Sequence, residues 1–550
     1  MRHKMTFFGH LRSLFARIPR NHKVKELNSY FTEESNELTG VGVTPSFAAQ
    51  VVEDPFFYGL FSMISVDVRR RIKCSGRQVI TRSDNSYVGR GLRAFLMRSG
   101  LVGWFFSSQW SRVNRKILGP EGYRSQSFNY PFLDLYDFWR ALVLWRSWKN
   151  SEDITQLVFR DILVGDLIVD SYLRFCPSPY FLVKDRFVLK LLWQAFRDIR
   201  RAYDFFSRDK PSFYLTSYCT YIPHGIAVRV ALQLGLPVYV FSGPLVFGKK
   251  LSLNDYFHKP DASDYYSNFE KMDLQADKLT KAEEQLKYRL SGGIDEATFY
   301  MKHSAYSPSD EKVGDVKGAV VVFLHNFYDS AHVYESLIFQ DFWSWICFTI
   351  DSLIQSGTKF WIKPHPKQIL LNDTAVQLLI KKYPQLQIMP PRITNLQLVE
   401  GGMVCGVTAY GTVAHELAYL GVPSICCAKH PHHSFKFCRT AKKLDEYRDF
   451  LQNPNFRELS RNEMRRQALA FFYMHNINGG EENMALRRQF NSYFKLANDS
   501  QGDQLTQELI KFRELPAYNE LIDDLVKEVR LSSSKQLNCS KKRNGPYNPV

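Results

Sequence analysis

The clearest hydrophobic patterning begins near residue 211. Ser212–Ser217 reads as a short strand. Pro223 suits the first helical position, where its missing N–H costs nothing. Ile226, Val230 and Leu234 then recur on one helix face, Gly235 ends the helix, and the apolar run Pro237–Phe241 reads as a buried strand. A second block starts at Gly318. Its strands are Ala319–Leu324, Lys359–Lys363, Leu386–Met389, Met403–Val407 and Pro423–Cys427, and its helices are Tyr334–Gln355, Thr374–Lys382 and Thr412–Leu420. Such alternation predicts a doubly wound parallel sheet covered by helices on both faces. A polar stretch, about Lys249–Val316, reads as a helical connector, so the pattern predicts a two-lobed enzyme with a cleft.

The flanks differ from the middle. Residues 26–150 are aromatic-rich, with helix candidates at Phe56–Ile64, Leu92–Met97 and Tyr136–Trp148 and a basic cluster at Arg69, Arg70, Arg71 and Lys73 that reads as a solvated face. Residues 1–25 carry seven Lys/Arg and no acid, with Phe7, Phe8, Leu11, Leu14, Phe15 and Ile18 at helical spacing. This is the pattern of a basic amphipathic helix, suited to an anionic membrane surface or to covering the protein's own body. The expected division is a basic helix (1–25), an N-terminal acceptor lobe with a helical extension (26–255), a connector (256–316), a C-terminal donor lobe (317–500), a C-terminal helix (501–531) and a disordered basic tail (532–550). No period of 20 to 50 residues repeats, which argues against solenoids and propellers.

Composition narrows the function classes. Of 550 residues, 45% are hydrophobic and 23% charged, which excludes a disordered or collagen-like chain. No apolar run approaches the roughly 20 residues of a membrane span, and no secretory h-region is evident. Nine cysteines, an odd number without a CxxC pair, predict reduced thiols and a cytoplasmic protein, peripheral to the membrane if the basic helix docks there. The adjacent Cys426 and Cys427 read as small core hydrophobes. Lys and Arg number 72 against 55 acidic residues, a net charge of +17, which favours anionic partners without choosing among them.

In open α/β sheets ligands bind beyond the carboxyl ends of the strands. In the second block those positions hold His325, Asn326, Tyr328 and Asp329; then Lys363-Pro364-His365-Pro366; then Arg392 after two prolines; then Thr408-Ala409-Tyr410-Gly411-Thr412, leading to His415 and Glu416. Gly411 permits close backbone approach, and N–H groups at a helix start attract phosphate. Thr412 could cap that helix or bond a phosphate oxygen. Glu416, one turn on, could accept ribose hydroxyls. The prolines around His365 stiffen the strand exit and hold the imidazole beside Lys363, where it can bind or protonate a leaving phosphate. The run His430-Pro431-His432-His433 lacks the HExxH or CxxC partners of a zinc site, so no metal is expected. P-loop and GxSxG motifs are absent.

The run Phe360–Lys367 (FWIKPHPK), followed by Val407–Ser424 (VTAYGTVAHELAYLGVPS), resembles the capsule polysaccharide biosynthesis glycosyltransferases, including Kdo transferases. Bacterial polysialyltransferases and teichoic-acid glycerophosphotransferases share a similar His-Pro motif. Tyr221–Tyr239 and, more loosely, Gly165–Ser171 are similar to the N-terminal lobe of that group, and the resemblance spans roughly residues 155–450. It implies a GT-B architecture of two Rossmann-like lobes, no resident cofactor or metal, and a nucleotide-sugar donor held by the C-terminal lobe. By position, His365 and Lys363 would contact the donor phosphate, with Arg392 near; Thr408, Gly411 and Thr412 would cradle it; Glu416 would face the ribose. Asp329 and His224 are alternative catalytic bases. Relatives often carry a Ser pair where this chain has Thr408-Ala409-Tyr410. The acceptor implied is a surface polysaccharide or lipid-linked glycan. Alternatives are a polyol-phosphate transferase, a nucleotide-sugar epimerase of the same fold and, last, a nucleic-acid-binding protein, for which no RRM, KH, zinc-finger or helix-turn-helix signature speaks.

Overall fold

The computed structural model describes residues 26–27, 29–31, 33–34, 37–38, 47–50, 55–73, 78–81, 131–176, 178–295, 310–365, 370–456, 458–498 and 504–543. The expected basic helix 1–25, the helix candidate Leu92–Met97 and residues 544–550 of the expected tail lie outside them.

Among the described residues, two five-stranded sheets organise the chain. The N-terminal lobe holds β1 (Phe47–Gln50), β2 (Gln78–Thr81), β5 (Tyr214–Thr216), β6 (Val238–Val240) and β7 (Lys249–Leu251), in the order β2-β1-β5-β6-β7. All are parallel except β7 at the edge. A two-stranded ribbon, β3 (Val158–Phe159) with β4 (Ile162–Leu163), precedes the helix Gly165–Phe175. The C-terminal lobe holds β8 (Val320–Phe323), β9 (Phe360–Lys363), β10 (Cys405–Val407), β11 (Ser424–Cys426) and β12 (Cys438–Thr440), ordered β12-β11-β10-β8-β9 and parallel throughout. Within each lobe the winding is the same. The first strand is flanked by the second on one side and the third on the other, which creates a topological switch point between β1 and β5 and another between β8 and β10.

Sequence forces this burial. Val320–Phe323 and Tyr214–Thr216 are buried at every position, as strands covered on both faces must be. Helix 342–355 places Trp345, Ile346, Ile350 and Leu353 in the core, and Asp341 caps it by accepting from Ser344 N–H at 2.7 Å. Helix 55–71 is buried along most of its length, and its basic last turn is only partly a solvated face. Arg69 is buried, while Arg70 pairs with Asp67 and Glu34, and Arg71 with Asp523.

Several expected boundaries move. The helix predicted over Tyr334–Gln355 starts only at Phe342, because Ser336 takes φ +60° and a 3₁₀ turn occupies 331–333. Leu386–Met389 forms a single bridge, Ile362 to Ile388, rather than a strand. The connector helices 265–270 and 275–290 pack onto the C-terminal lobe, burying Phe269, Ala282 and Leu286 with Tyr419 and Phe471. The C-terminal lobe does not run to residue 500. After helix 461–472 and a π-turn at 473–477, Gly479 and Gly480 adopt positive φ and the chain turns back. Helices 480–498, 505–510 and 516–543 complete the N-terminal lobe, where Phe490, Tyr493, Leu509, Phe512 and Ile522 pack with Phe56, Leu60, Phe213 and Phe241. Residues 532–543, expected as disordered tail, continue the last helix. No helix among the described residues is long and apolar enough to cross a membrane.

Candidate active site

The carboxyl ends of the C-terminal strands face the N-terminal lobe. Asp170, on helix 165–175, accepts from Ala331 N–H (3.0 Å), His332 N–H (3.3 Å) and His332 Nδ1 (2.8 Å). Asp341 accepts from Phe181 N–H at 2.7 Å, and Tyr221 donates its hydroxyl to Asp329 at 3.0 Å. Lys259 reaches Glu335 at 3.1 Å. A cavity of ≈ 210 Å³ lies along this seam, lined by Asp255, Lys259 and Asp261 from one side and Glu335, Lys429 and His433 from the other. Burial works to raise the Glu335 carboxyl, but Lys429 and Lys259 outweigh it and hold it below its ordinary value.

At the switch point between β8 and β10 the loops are bonded to each other. Gly411 N–H donates to Thr408 Oγ1 at 3.0 Å, and Thr408 Oγ1 lies 2.8 Å from His325 Nε2. Tyr410 N–H also points at Nε2, at 3.5 Å. Nε2 therefore accepts, and the Thr408 hydroxyl donates to it. Burial, with a smaller contribution from nearby His365, drops His325 to about 3. It is a neutral scaffold group, stacked on Phe342 at 4.8 Å. A Cβ at Gly411 would lie 2.7 Å from Thr408 Oγ1, so only glycine lets this loop close. Tyr410 ties the loop to its neighbour by donating to Ser330 O at 3.1 Å.

The expected cations lie at the exit of β9, across β8 from this loop, and after the two prolines that follow. Lys363 ends β9 almost fully buried, with Nζ 3.1 Å from Pro391 O. Burial lowers it to about 8, against the opposing pull of Glu416. His365 is exposed at the strand exit, and Arg392 is exposed after the two prolines. Thr412 is exposed at the helix start and makes no side-chain cap, so the capping role goes unfilled by it. Glu416, expected to face a ribose, is buried; Asn395 Nδ2 donates to it at 2.7 Å, and its charge supports Lys363.

The two candidate bases separate clearly. Asp329 is exposed on the seam, held by Tyr221. His224 lies one helical turn from Tyr221, packed edge-on against Tyr218, with Nδ1 buried and without a hydrogen bond. Burial, then His258, lowers it to about 4, which makes it a weak base. Sequence reasoning missed Asp170, Tyr221 and His325 as site builders; His325 was visible as a strand-exit residue, but nothing in the pattern paired it with Thr408. It also missed a buried cluster of Cys426, His432 and Cys438, the one group among the described residues arranged as metal ligands could be.

Two like-wound α/β lobes facing each other across such a seam define a GT-B-like protein. No protein-family model matches the chain, and no curated protein matches it. Among solved structures, it is similar to UDP-GlcNAc 2-epimerase from Neisseria meningitidis bound to UDP-GlcNAc, at 13% identity over 54% of this chain and 80% of that one, TM-score 0.22. A UDP co-structure of S. aureus MnaA is 11% identical over 56% and 85%, TM-score 0.23. The TcCGT1 complex with UDP is 11% identical over 87% and 100%, TM-score 0.19.

Proposed function

We propose that the chain is a glycosyltransferase that moves a sugar from a nucleotide-sugar donor to a glycan or lipid-linked acceptor of the surface-polysaccharide type. The observation that supports this most is the His325–Thr408–Gly411 chain of hydrogen bonds across the β8/β10 switch point. It fixes a glycine loop across β8 from Lys363, at the place where doubly wound sheets bind ligands. In this reading the donor diphosphate lies against the 408–412 loop, with Lys363, His365 and Arg392 supplying positive charge. An acceptor hydroxyl attacks the anomeric carbon, and the bond from that carbon to the diphosphate oxygen breaks. Asp329 takes the hydroxyl proton, and the cations stabilise the negative charge left on the nucleoside diphosphate. The acceptor enters from the side of Tyr221. A cytoplasmic position at the membrane face fits a lipid-linked acceptor and the basic N-terminal sequence.

The test is a thermal-shift comparison of CMP, CDP, UDP, GDP and ADP on the wild type and His365→Ala. A ligand that binds only the native state raises its melting temperature. One nucleotide should shift the wild type and shift the variant less. No shift with any of them overturns the reading. With the donor identified, release of free nucleotide that requires an added glycan acceptor supports transfer, whereas isomerised donor without an acceptor points to an epimerase instead.

A further inference from the structure

Behind the glycine loop, β11 and β12 run side by side with Ser424 opposite Cys438 and Cys426 opposite Thr440. Strand alternation puts these four side chains on one face of the sheet. That face is covered by helices 413–419 and 461–472 through Ala414, Ala418, Ala468 and Phe471. Cys426 Sγ and Cys438 Sγ stand 3.2 Å apart. The turn Pro431–Ser434 delivers His432 to the same spot, so that one donor atom from each of the three residues lies within 4.8 Å of the other two, and all three residues are buried.

Three polar atoms around this cluster lack partners. His432 Nε2 faces Gly411 O at 3.4 Å, which leaves Nδ1 buried and unbonded. Ser424 Oγ and Thr440 Oγ1, on the same face, are also buried and unbonded. Buried polar atoms are nearly always satisfied, so several orphans around one point ask for an occupant. A disulfide between the two cysteines would leave His432 Nδ1 as it is. A cation would use it. Two sulfurs and an imidazole nitrogen are soft donors that suit zinc and disfavour magnesium or calcium. With bonds of about 2.3 Å at a tetrahedral angle the sulfurs would sit roughly 3.8 Å apart, so loading asks them to open by only about 0.6 Å.

We propose that Cys426, Cys438 and His432 form a structural zinc site, with two thiolates and Nδ1 as ligands. Binding releases the two thiol protons to solvent. It also fixes the imidazole with its proton on Nε2, pointing at Gly411 O, so the metal braces the 408–412 loop from behind. His415, on a covering helix, is also buried with neither ring nitrogen bonded, its ring against Phe471.

The experiment measures metal in the reduced full-length protein, purified without chelator, by plasma mass spectrometry, and then replaces the metal with Co²⁺. The expected result is one zinc per chain, and a cobalt form with thiolate charge-transfer bands and intense tetrahedral d–d bands. Cys426→Ser combined with Cys438→Ser should lose both. Should that variant fail to fold, His432→Gln provides the second reading, through weaker retention and a shifted cobalt spectrum. Folded wild type that holds no zinc and gives no thiolate–cobalt band overturns the proposal. So does a native Cys426–Cys438 disulfide found by peptide mass mapping.

Discussion

Lys363 is the residue whose chemistry is most exposed to test. Burial lowers its ammonium to about 8 from an ordinary 10.5. Between those values the unfolded chain binds the proton that the folded chain has released, so stability of the ligand-free protein should rise as pH climbs through this window. Below it both states are protonated and the desolvation cost is felt in full. Nucleotide affinity should move the opposite way, falling as pH passes about 8 and the positive charge is lost. Isothermal titration and urea denaturation across pH measure the two trends, and Lys363→Met should flatten both. That variant should be more stable near neutral pH by up to roughly 3 kcal/mol, the free-energy equivalent of the shift. Gly411→Ala should weaken nucleotide binding by about tenfold or more, because its Cβ would collide with Thr408 Oγ1 and disturb a hydroxyl held by two hydrogen bonds. At this scale the sequence made Lys363, His365 and Gly411 legible, since proline and glycine restrict the backbone wherever they occur. It could not show that Glu416 turns inward to Asn395, because a helix carboxylate reads the same whether its face meets solvent or a neighbour.

Among the elements, the helix Gly165–Phe175 links the most features. Gly165 sits so close to the turn 154–157, just before the β3–β4 ribbon, that a Cβ would lie 1.7 Å from Ile154 O. Asp166 next to it holds Arg229 through both oxygens, at 2.6 and 2.5 Å, while the guanidinium also bonds Leu163 O and lies over Tyr256. Asp170, one turn on, grips the loop 331–332 of the other lobe. Asp166→Ala leaves Arg229 buried without its partner and should cost about 3–5 kcal/mol, read by urea denaturation. Asp170→Ala should cost the N-terminal lobe less. Its signature should be a larger radius of gyration by small-angle scattering, as the seam loosens. Long apolar runs such as Val320–Phe323 were readable as strands because burial on both faces leaves no polar position. β1, β2 and β12 were not, being three or four residues each with no alternation to count.

At the scale of the molecule, the lobes differ in how the chain builds them. The C-terminal lobe is a continuous stretch with the connector helices packed on it, whereas the N-terminal lobe is assembled from both ends of the sequence. The sequence predicted a C-terminal helix over 501–531 but placed 480–498 in the donor lobe, because a helical pattern does not name the surface it will cover. A fragment spanning 256–478 should therefore fold and retain the proposed nucleotide site, while 1–255 should aggregate unless 479–550 is supplied in trans; co-expression with size-exclusion chromatography decides this. Tyr493, which donates its hydroxyl to Phe56 O, lies 437 residues from its partner. At ribosomal speeds of about 5–20 residues per second, that separation lasts roughly 20–90 s. For that interval Phe56 and Leu60, joined later by Phe213 and Phe241, wait uncovered on the nascent chain while the later lobe is already folding. The cell must shield a half-built lobe during every round of synthesis, and a stop codon anywhere before the last helix strands the beginning of the protein rather than its end.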